Sequence, residues 1–165
     1  MVKHLVLANI LSLILFACSE NKPGAAKSNS LEIVQYNKDQ RNKTTALKCI
    51  QAYEANDSIY ILSQNANDVV NVYAGLPPIH GIDSCRVVLR GAFNAIKEYK
   101  PSNLLALADN NYVIVYQYVD ITFRKSAETL HNKSIEIFKF NDEGKIILHT
   151  GVNEALESND VRISF

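Results

Sequence analysis

The sequence predicts an α+β domain in which a curved antiparallel sheet wraps around three N-terminal helices and leaves a pocket in the hollow. Three observations carry this expectation. Between Ala46 and Tyr99, apolar residues recur every three or four positions in three separate stretches. A single alternating stretch, Val69 to Tyr73, stands between the second and the third. From Leu104 onward nearly every segment reads as strand, and the connections are rich in Asp, Asn and Gly. Helices grouped before a strand meander form an α+β pattern, and a sheet that curls has to fill its hollow with those helices.

The elements follow in order. Thr44 or Thr45 can cap a first helix that carries Ala46, Leu47, Cys49, Ile50 and Tyr53 and stops near Asn56. Asp57 and Ser58 can cap a short second helix with Ile59, Ile61 and Leu62, ended by Asn65-Ala66-Asn67-Asp68. Gly75 to Pro78 is a turn after the first strand. After Gly81, Cys85, Val88, Leu89, Ala92, Phe93, Ile96 and Tyr99 trace the broad apolar face of the longest helix, and Pro101 follows it. Leu104 to Ala108, Tyr112 to Arg124, Ser134 to Asn141 and Lys145 to about Asn153 are the remaining strands, joined at Asp109-Asn110-Asn111 and Asp142-Glu143-Gly144.

The two ends of the N-terminal region differ sharply in character. Lys3 and His4 precede an apolar run from Leu5 to Phe16, too short to span a bilayer, which needs about 20 residues. That is the layout of a secretory signal, residues 1–17. Leu15-Phe16-Ala17-Cys18 resembles the lipobox of bacterial lipoproteins, and the resemblance implies that Cys18 is acylated and becomes the first residue of the mature chain. Two or three acyl chains hold a protein to a membrane far more firmly than one. The partner implied is therefore a membrane of the bacterial cell envelope. Residues 18–30, rich in Ser, Asn, Lys, Gly and Ala, read as a flexible tether, and residues 31–165 as one domain. With 17 basic and 17 acidic residues and no basic cluster, the charge pattern argues against nucleic acid.

The stretch from about Ala46 to Asn153 resembles the nuclear-transport-factor-2-like superfamily, in its SnoaL-like and ketosteroid-isomerase-like branch. The residues that carry the likeness are Tyr53-Glu54-Ala55-Asn56-Asp57, Asn67-Asp68-Val69-Val70, Pro78-Ile79-His80-Gly81 and Phe138-Lys139-Phe140-Asn141-Asp142-Glu143-Gly144-Lys145-Ile146. The resemblance implies a conical pocket and, in the isomerase branch, a proton-shuttling aspartate, an oxyanion-binding tyrosine and a protonated acid. Those three positions fall here at Tyr73, Cys49 and Glu136. A phenol with an ordinary pKa near 10 is a poor base at neutral pH, and a thiol is a weak donor, so only Glu136 keeps its part.

Glu136 shares a strand face with Phe138 and Phe140. If that face is concave, Glu136 is a carboxylate in an apolar pocket without a cationic neighbour, and its protonated form is favoured. On the long strand, Tyr112, Ile114, Tyr116, Tyr118, Asp120 and Thr122 share one face, and Val113, Val115, Gln117, Val119, Ile121 and Phe123 share the other. One face should line the hollow and the other should meet a second copy, which predicts a homodimer. The residues expected around a ligand are Cys49, Tyr53, Tyr73, Leu89, Tyr116, Tyr118, Asp120, Glu136 and Phe138, with Glu136 and Tyr73 the candidates for chemistry. His80 and His149 read as surface or capping residues, and no spacing suggests a metal or any cofactor. Cys49 and Cys85 read as buried thiols or, alternatively, as a disulfide in an oxidising envelope.

The reading that follows is a lipid-anchored domain binding a small apolar or amphipathic ligand without isomerase chemistry. The alternatives are a general acid–base enzyme of isomerase, cyclase or dehydratase type that uses Glu136, and an envelope interaction module. Replacing Cys18 with serine should abolish labelling by a palmitate analogue in the producing bacterium and release the protein from membranes. Membrane retention unchanged by the substitution would sink the lipobox reading.

Overall fold

The computed structural model describes residues 23–73 and 75–156, so Cys18 and the signal segment lie outside the described residues. The chain forms two compact units, residues 1–34 and residues 35–165, and the second contains every residue discussed below for the site. Among the described residues no helix is long and apolar enough to cross a membrane.

Helix α1 runs from Pro23 to Glu54, starting well before the Thr44 or Thr45 cap that the apolar pattern suggested, and residues 23–30 of the expected tether are helical. Proline suits the first turn of a helix, where its missing N–H is not needed, and the residues after it are mostly polar helix formers. Such a stretch has no apolar stripe for periodicity to detect. Thr44 and Thr45 are therefore interior residues whose hydroxyls donate back to the carbonyls of Gln40 (2.8 Å) and Arg41 (3.1 Å). Helix α2 (Ser58–Gln64) is capped as expected, the Asp57 carboxylate accepting from the Tyr60 N–H at 2.9 Å.

Strand β1 (Asn65–Tyr73), the short β2 (Ile79–His80) and helix α3 (Ile82–Ala95) follow. The helix ends four residues before Tyr99, and Ile96 and Tyr99 belong to β3 (Ile96–Asp109). A three-residue apolar spacing also fits a strand with a bulge, and β3 shifts register between Ile96 and Glu98 while pairing with β4 (Tyr112–Phe123). Pro101 is tolerated inside β3 because this is an edge strand. Strands β5 (Thr129–Phe140) and β6 (Ile146–Ala155) complete the six-stranded sheet, whose order is β2-β1-β6-β5-β4-β3.

The sheet is mixed, and this corrects the antiparallel expectation: β1 lies parallel to β6, with Asn71 beside His149 and Tyr73 beside Gly151. Local patterning sets whether a strand forms. Its direction relative to β6 follows from the route the chain takes through α3 and the meander. The turn between β5 and β6 is closed by Asn141, whose side-chain oxygen accepts from the Lys145 N–H at 2.8 Å, and by Gly144 at φ +84°, a left-handed conformation that suits glycine.

The core lies between the concave sheet face and the helices. Val69, Ala106, Val113, Val115, Phe138, Phe140 and Ile146 meet Ala46, Cys49 and Ile50 of α1 and Cys85 of α3. Full burial of each larger side chain contributes about 1.5–3 kcal/mol. The concave face of β4 is thus the Val113, Val115, Gln117 face. Tyr116 and Tyr118, paired with Ile135 and Lys133, stand on the opposite face with Asp120, which corrects the expectation that they reach the hollow. On that convex face Leu107 pairs with Ile114 and Ile135 pairs with Val152, in adjacent rows, and all four are exposed.

Candidate functional site

Between the helices and the concave sheet is a cavity of about 270 Å³. Helical spacing supplies its apolar wall: Ile50 and Tyr53 from α1, Ile61 and Leu62 from α2, and Cys85, Val88, Leu89 and Ala92 from α3. The sheet supplies the polar wall, namely Asn65, Asn71 and Tyr73 of β1, Tyr99 of β3, Glu136 of β5, and His149 and Asn153 of β6. Val88 and Asn153 are exposed, so the cavity opens beside them.

Four of the residues expected around a ligand line this space: Tyr53, Tyr73, Leu89 and Glu136. Cys49 is buried in the core beneath it, and Phe138 is buried under the ring of His149. Tyr116, Tyr118 and Asp120 belong to the other face of the sheet. Cys49 and Cys85 are free thiols; burial pushes Cys49 up to about 12, which leaves it an uncharged core residue. His80 is exposed and does not line the cavity. Among the described residues no three His, Cys, Asp or Glu side chains converge as a metal site would require.

His149 is the residue that sequence reasoning misplaced. It is buried, stacked on Phe138 with ring centroids 4.4 Å apart and edge-on to Tyr73 at 5.7 Å. Its Nε2 lies 3.0 Å from Glu136 Oε2, and its Nδ1 lies 3.5 Å from the Tyr73 hydroxyl. Ser134 donates its hydroxyl to Glu136 Oε1 at 2.6 Å, so both carboxylate oxygens are engaged. With Nε2–H donating to the carboxylate, Nδ1 keeps its lone pair and can accept from Tyr73. Tyr53, also in the cavity wall, interacts with Tyr73 through its side chain. The geometry thus links Tyr73 to His149 and His149 to Glu136.

The electrostatics follow from these links. Burial alone would raise the Glu136 carboxyl, but the hydrogen bond from His149, the charge that His149 carries when protonated, and the Ser134 hydroxyl outweigh it, and the net shift is downward. This reverses the expectation of an isolated, protonated carboxyl. The phenols move the other way. Desolvation, with Glu136 adding to it, pushes Tyr73 up to about 12, and burial raises Tyr53 and Tyr99 strongly as well. All three remain proton donors at neutral pH.

One sequence signal pointed to this cluster. Gly151 interrupts β6 in the middle of a strand, where glycine costs stability unless something approaches closely. A Cβ at position 151 would stand 2.9 Å from Glu136 Cδ, so the glycine leaves the space the carboxylate occupies.

No family model and no curated protein sequence matches the chain. Solved structures do. A candidate polyketide cyclase from Xanthomonas campestris pv. campestris is 16% identical, with a TM-score of 0.64 over 69% of this chain and 90% of that one. A nuclear-transport-factor-2-like protein from Burkholderia pseudomallei is also 16% identical, with a TM-score of 0.63 over 69% of this chain and 91% of that one. A LEH-like epoxide hydrolase from M. tuberculosis is 14% identical, with a TM-score of 0.62 over 70% of this chain and 84% of that one. At these identities the likeness establishes the fold, that of nuclear-transport-factor-2-like and SnoaL-like proteins.

Because folding lowers the Glu136 pKa, its contribution to stability is complete above the unfolded value near 4.5 and is lost as pH falls through the lower folded value. Glu136→Gln puts an amide N–H against one of the two donors and should cost about 1–3 kcal/mol at neutral pH. The gap to wild type should close in acid below about pH 4.5. Thermal melts across that range check both; a constant gap would place the stabilising charge elsewhere.

Proposed function

We propose that this domain is a lipid-anchored general acid–base enzyme acting on a small, largely apolar molecule with one polar end. The observation that carries this reading is the convergence of His149, Tyr73 and Glu136 on the polar wall of one cavity. A pure binding pocket needs one anchoring group, whereas three coupled titratable groups facing an apolar wall can move a proton. This departs from the expectation of binding without chemistry, and the reason is His149.

The roles follow from the geometry. Glu136 is a positioning residue that holds His149 as the Nε2–H tautomer and stabilises the imidazolium once it forms. A ligand oxygen that takes the Tyr73 hydrogen bond frees His149 Nδ1 to remove a proton from the carbon next to a carbonyl. The electron pair moves to the carbonyl oxygen, where the Tyr73 hydroxyl, backed by Tyr53, donates to it. Return of the proton at a second carbon gives an isomerisation. If the enolate instead expels an oxygen from the β-carbon, the imidazolium protonates that leaving oxygen and the result is an elimination. If the enolate carbon attacks a second carbonyl carbon of the same molecule, the imidazolium protonates that carbonyl's oxygen and the result is a cyclisation. The acid–base alternative set out from sequence used Glu136, but its two oxygens are already engaged by Ser134 and His149.

Deuterium exchange at the acidic carbon of 2-tetralone, followed by NMR in heavy water, tests the reading without knowledge of the natural substrate. Wild type should accelerate exchange, and His149→Ala should lower the rate about 100-fold or more. A cavity that binds the ketone with no acceleration would be a binding module.

The lipid anchor at Cys18 and a homodimer through the convex face complete the proposal. Leu107 with Ile114 and Ile135 with Val152 form two exposed apolar pairs in adjacent rows of the convex face, which suits a second copy of the same sheet. The chain from Leu31 onward should sediment as a dimer, and Ile135→Glu should make it monomeric. A wild-type monomer would rule out this interface.

A further inference from the structure

Among the described residues, three buried side-chain polar atoms have no hydrogen-bond partner in the protein: Asn42 Nδ2, Asn71 Oδ1 and Gln117 Oε1. Only Asn71 lines the cavity. It is 8% exposed, and its amide is fixed at one end, where Nδ2 donates to the Cys85 sulfur at 3.2 Å. That bond leaves the carbonyl oxygen as a buried acceptor in the wall of a site. An acceptor kept from water without a partner is destabilising, so a side chain held in this state calls for an explanation.

We infer that Asn71 reads a hydrogen-bond donor on the substrate, and that the substrate is a hydroxylated carbonyl compound carrying its O–H within reach of both Asn71 and His149. The inference rests on the acid–base reading above and narrows it to a substrate class. Three features support it. Asn71 and His149 are direct partners across β1 and β6, and neighbouring strands lie about 5 Å apart, so a group on Asn71 is close to the carbon whose proton His149 takes. Of the other groups of the polar wall, Asn153 is exposed at the mouth and Asn65 pairs with Ile146 at the far end of β1, whereas those nearest His149 are donors or are already engaged. Tyr73 offers its hydrogen, the Tyr99 oxygen accepts from Gln117 Nε2 at 3.0 Å, and Glu136 holds two donors. The apolar wall of Val88, Leu89 and Ala92 has nothing to satisfy an O–H, so a hydroxyl on the reacting end of the ligand can pair only on the sheet side.

A site built around such an acceptor should reject an isosteric ligand that lacks the donor, because the analogue leaves Asn71 Oδ1 unpaired. The matched probes are α-hydroxyacetophenone and propiophenone, which differ by an O–H in place of a methyl group beside the carbonyl. NMR titration of the mature chain should show the hydroxy compound binding about tenfold tighter. In Asn71→Leu the two affinities should come within about threefold, chiefly through a gain for propiophenone. Asn71→Asp keeps the acceptor and should keep the preference. If Asn71→Leu does not fold, Asn71→Ala serves for the same comparison.

Equal binding of the two probes by wild type, or a preference that survives Asn71→Leu, overturns the assignment of Asn71. In that case the exchange of 2-tetralone protons can still proceed, and the acid–base reading stands. Loss of the preference in Asn71→Asp would mean that the amide presents its N–H to the ligand, which also overturns the assignment. Failure of wild type to bind either probe overturns this inference together with the reading it rests on.

Discussion

The buried pairing of Glu136 with His149 is the constraint around which the site is organised. A carboxylate that is 12% exposed and an imidazole that is 10% exposed cannot both leave water without compensation, because isolated charge in such surroundings is strongly unfavourable. The compensation comes from four strand positions. Ser134 donates to the free carboxylate oxygen, Tyr73 meets the other imidazole nitrogen, Phe138 stacks beneath the ring, and Gly151 leaves space for the carboxylate. Each lies on the concave face of β1, β5 or β6, and each depends on the register between those strands. A slip of one residue in β6 would carry His149 to the opposite face and leave Glu136 unpaired.

The parallel placement of β1 against β6 then completes the site. It sets Asn71 beside His149 and Tyr73 beside Gly151, so that two polar side chains of β1 approach the acid–base pair from the side away from β5. The helices add little polarity. Their contribution is an apolar cover that excludes water and makes each hydrogen bond of the sheet wall stronger than it would be in solvent. A largely apolar cavity with its polar groups collected on one wall would orient the amphipathic ligand proposed above, with its apolar end toward α3 and its polar end toward the sheet.

The two faces of the sheet are consequently specialised. The concave face of β4 is apolar apart from Gln117, which donates to the Tyr99 hydroxyl at the cavity wall. The convex face carries Tyr116 and Tyr118, ring centroids 5.7 Å apart and nearly perpendicular, beside exposed aliphatic residues. From alternation alone the two faces of this strand are nearly equivalent in character. Packing against Cys49 and Ile50 of α1 decides which of them is inside.

By itself the sequence determined the α+β class, the number of helices, the Asp57 cap, the apolar face of α3 with Leu89, the β5–β6 turn at Asn141 to Gly144, and the strand face that Glu136 shares with Phe138 and Phe140. All of these rest on interactions within a few residues or on a period of two or about 3.6, which the chain carries locally. It did not determine the polar first half of α1, because a helix without an apolar stripe has no periodic signal, or the helix-to-strand switch at Ile96, because a short apolar spacing fits both. Tertiary structure alone decided the sign of the Glu136 shift and the role of His149, two residues 13 positions apart in sequence that meet only through β5–β6 pairing. It also decided that Tyr73 and Asn71 join them, since the parallel contact between β1 and β6 brings together segments more than seventy residues apart. A pKa and a proton path depend on which groups lie within a few ångströms, and that proximity is a property of the folded register.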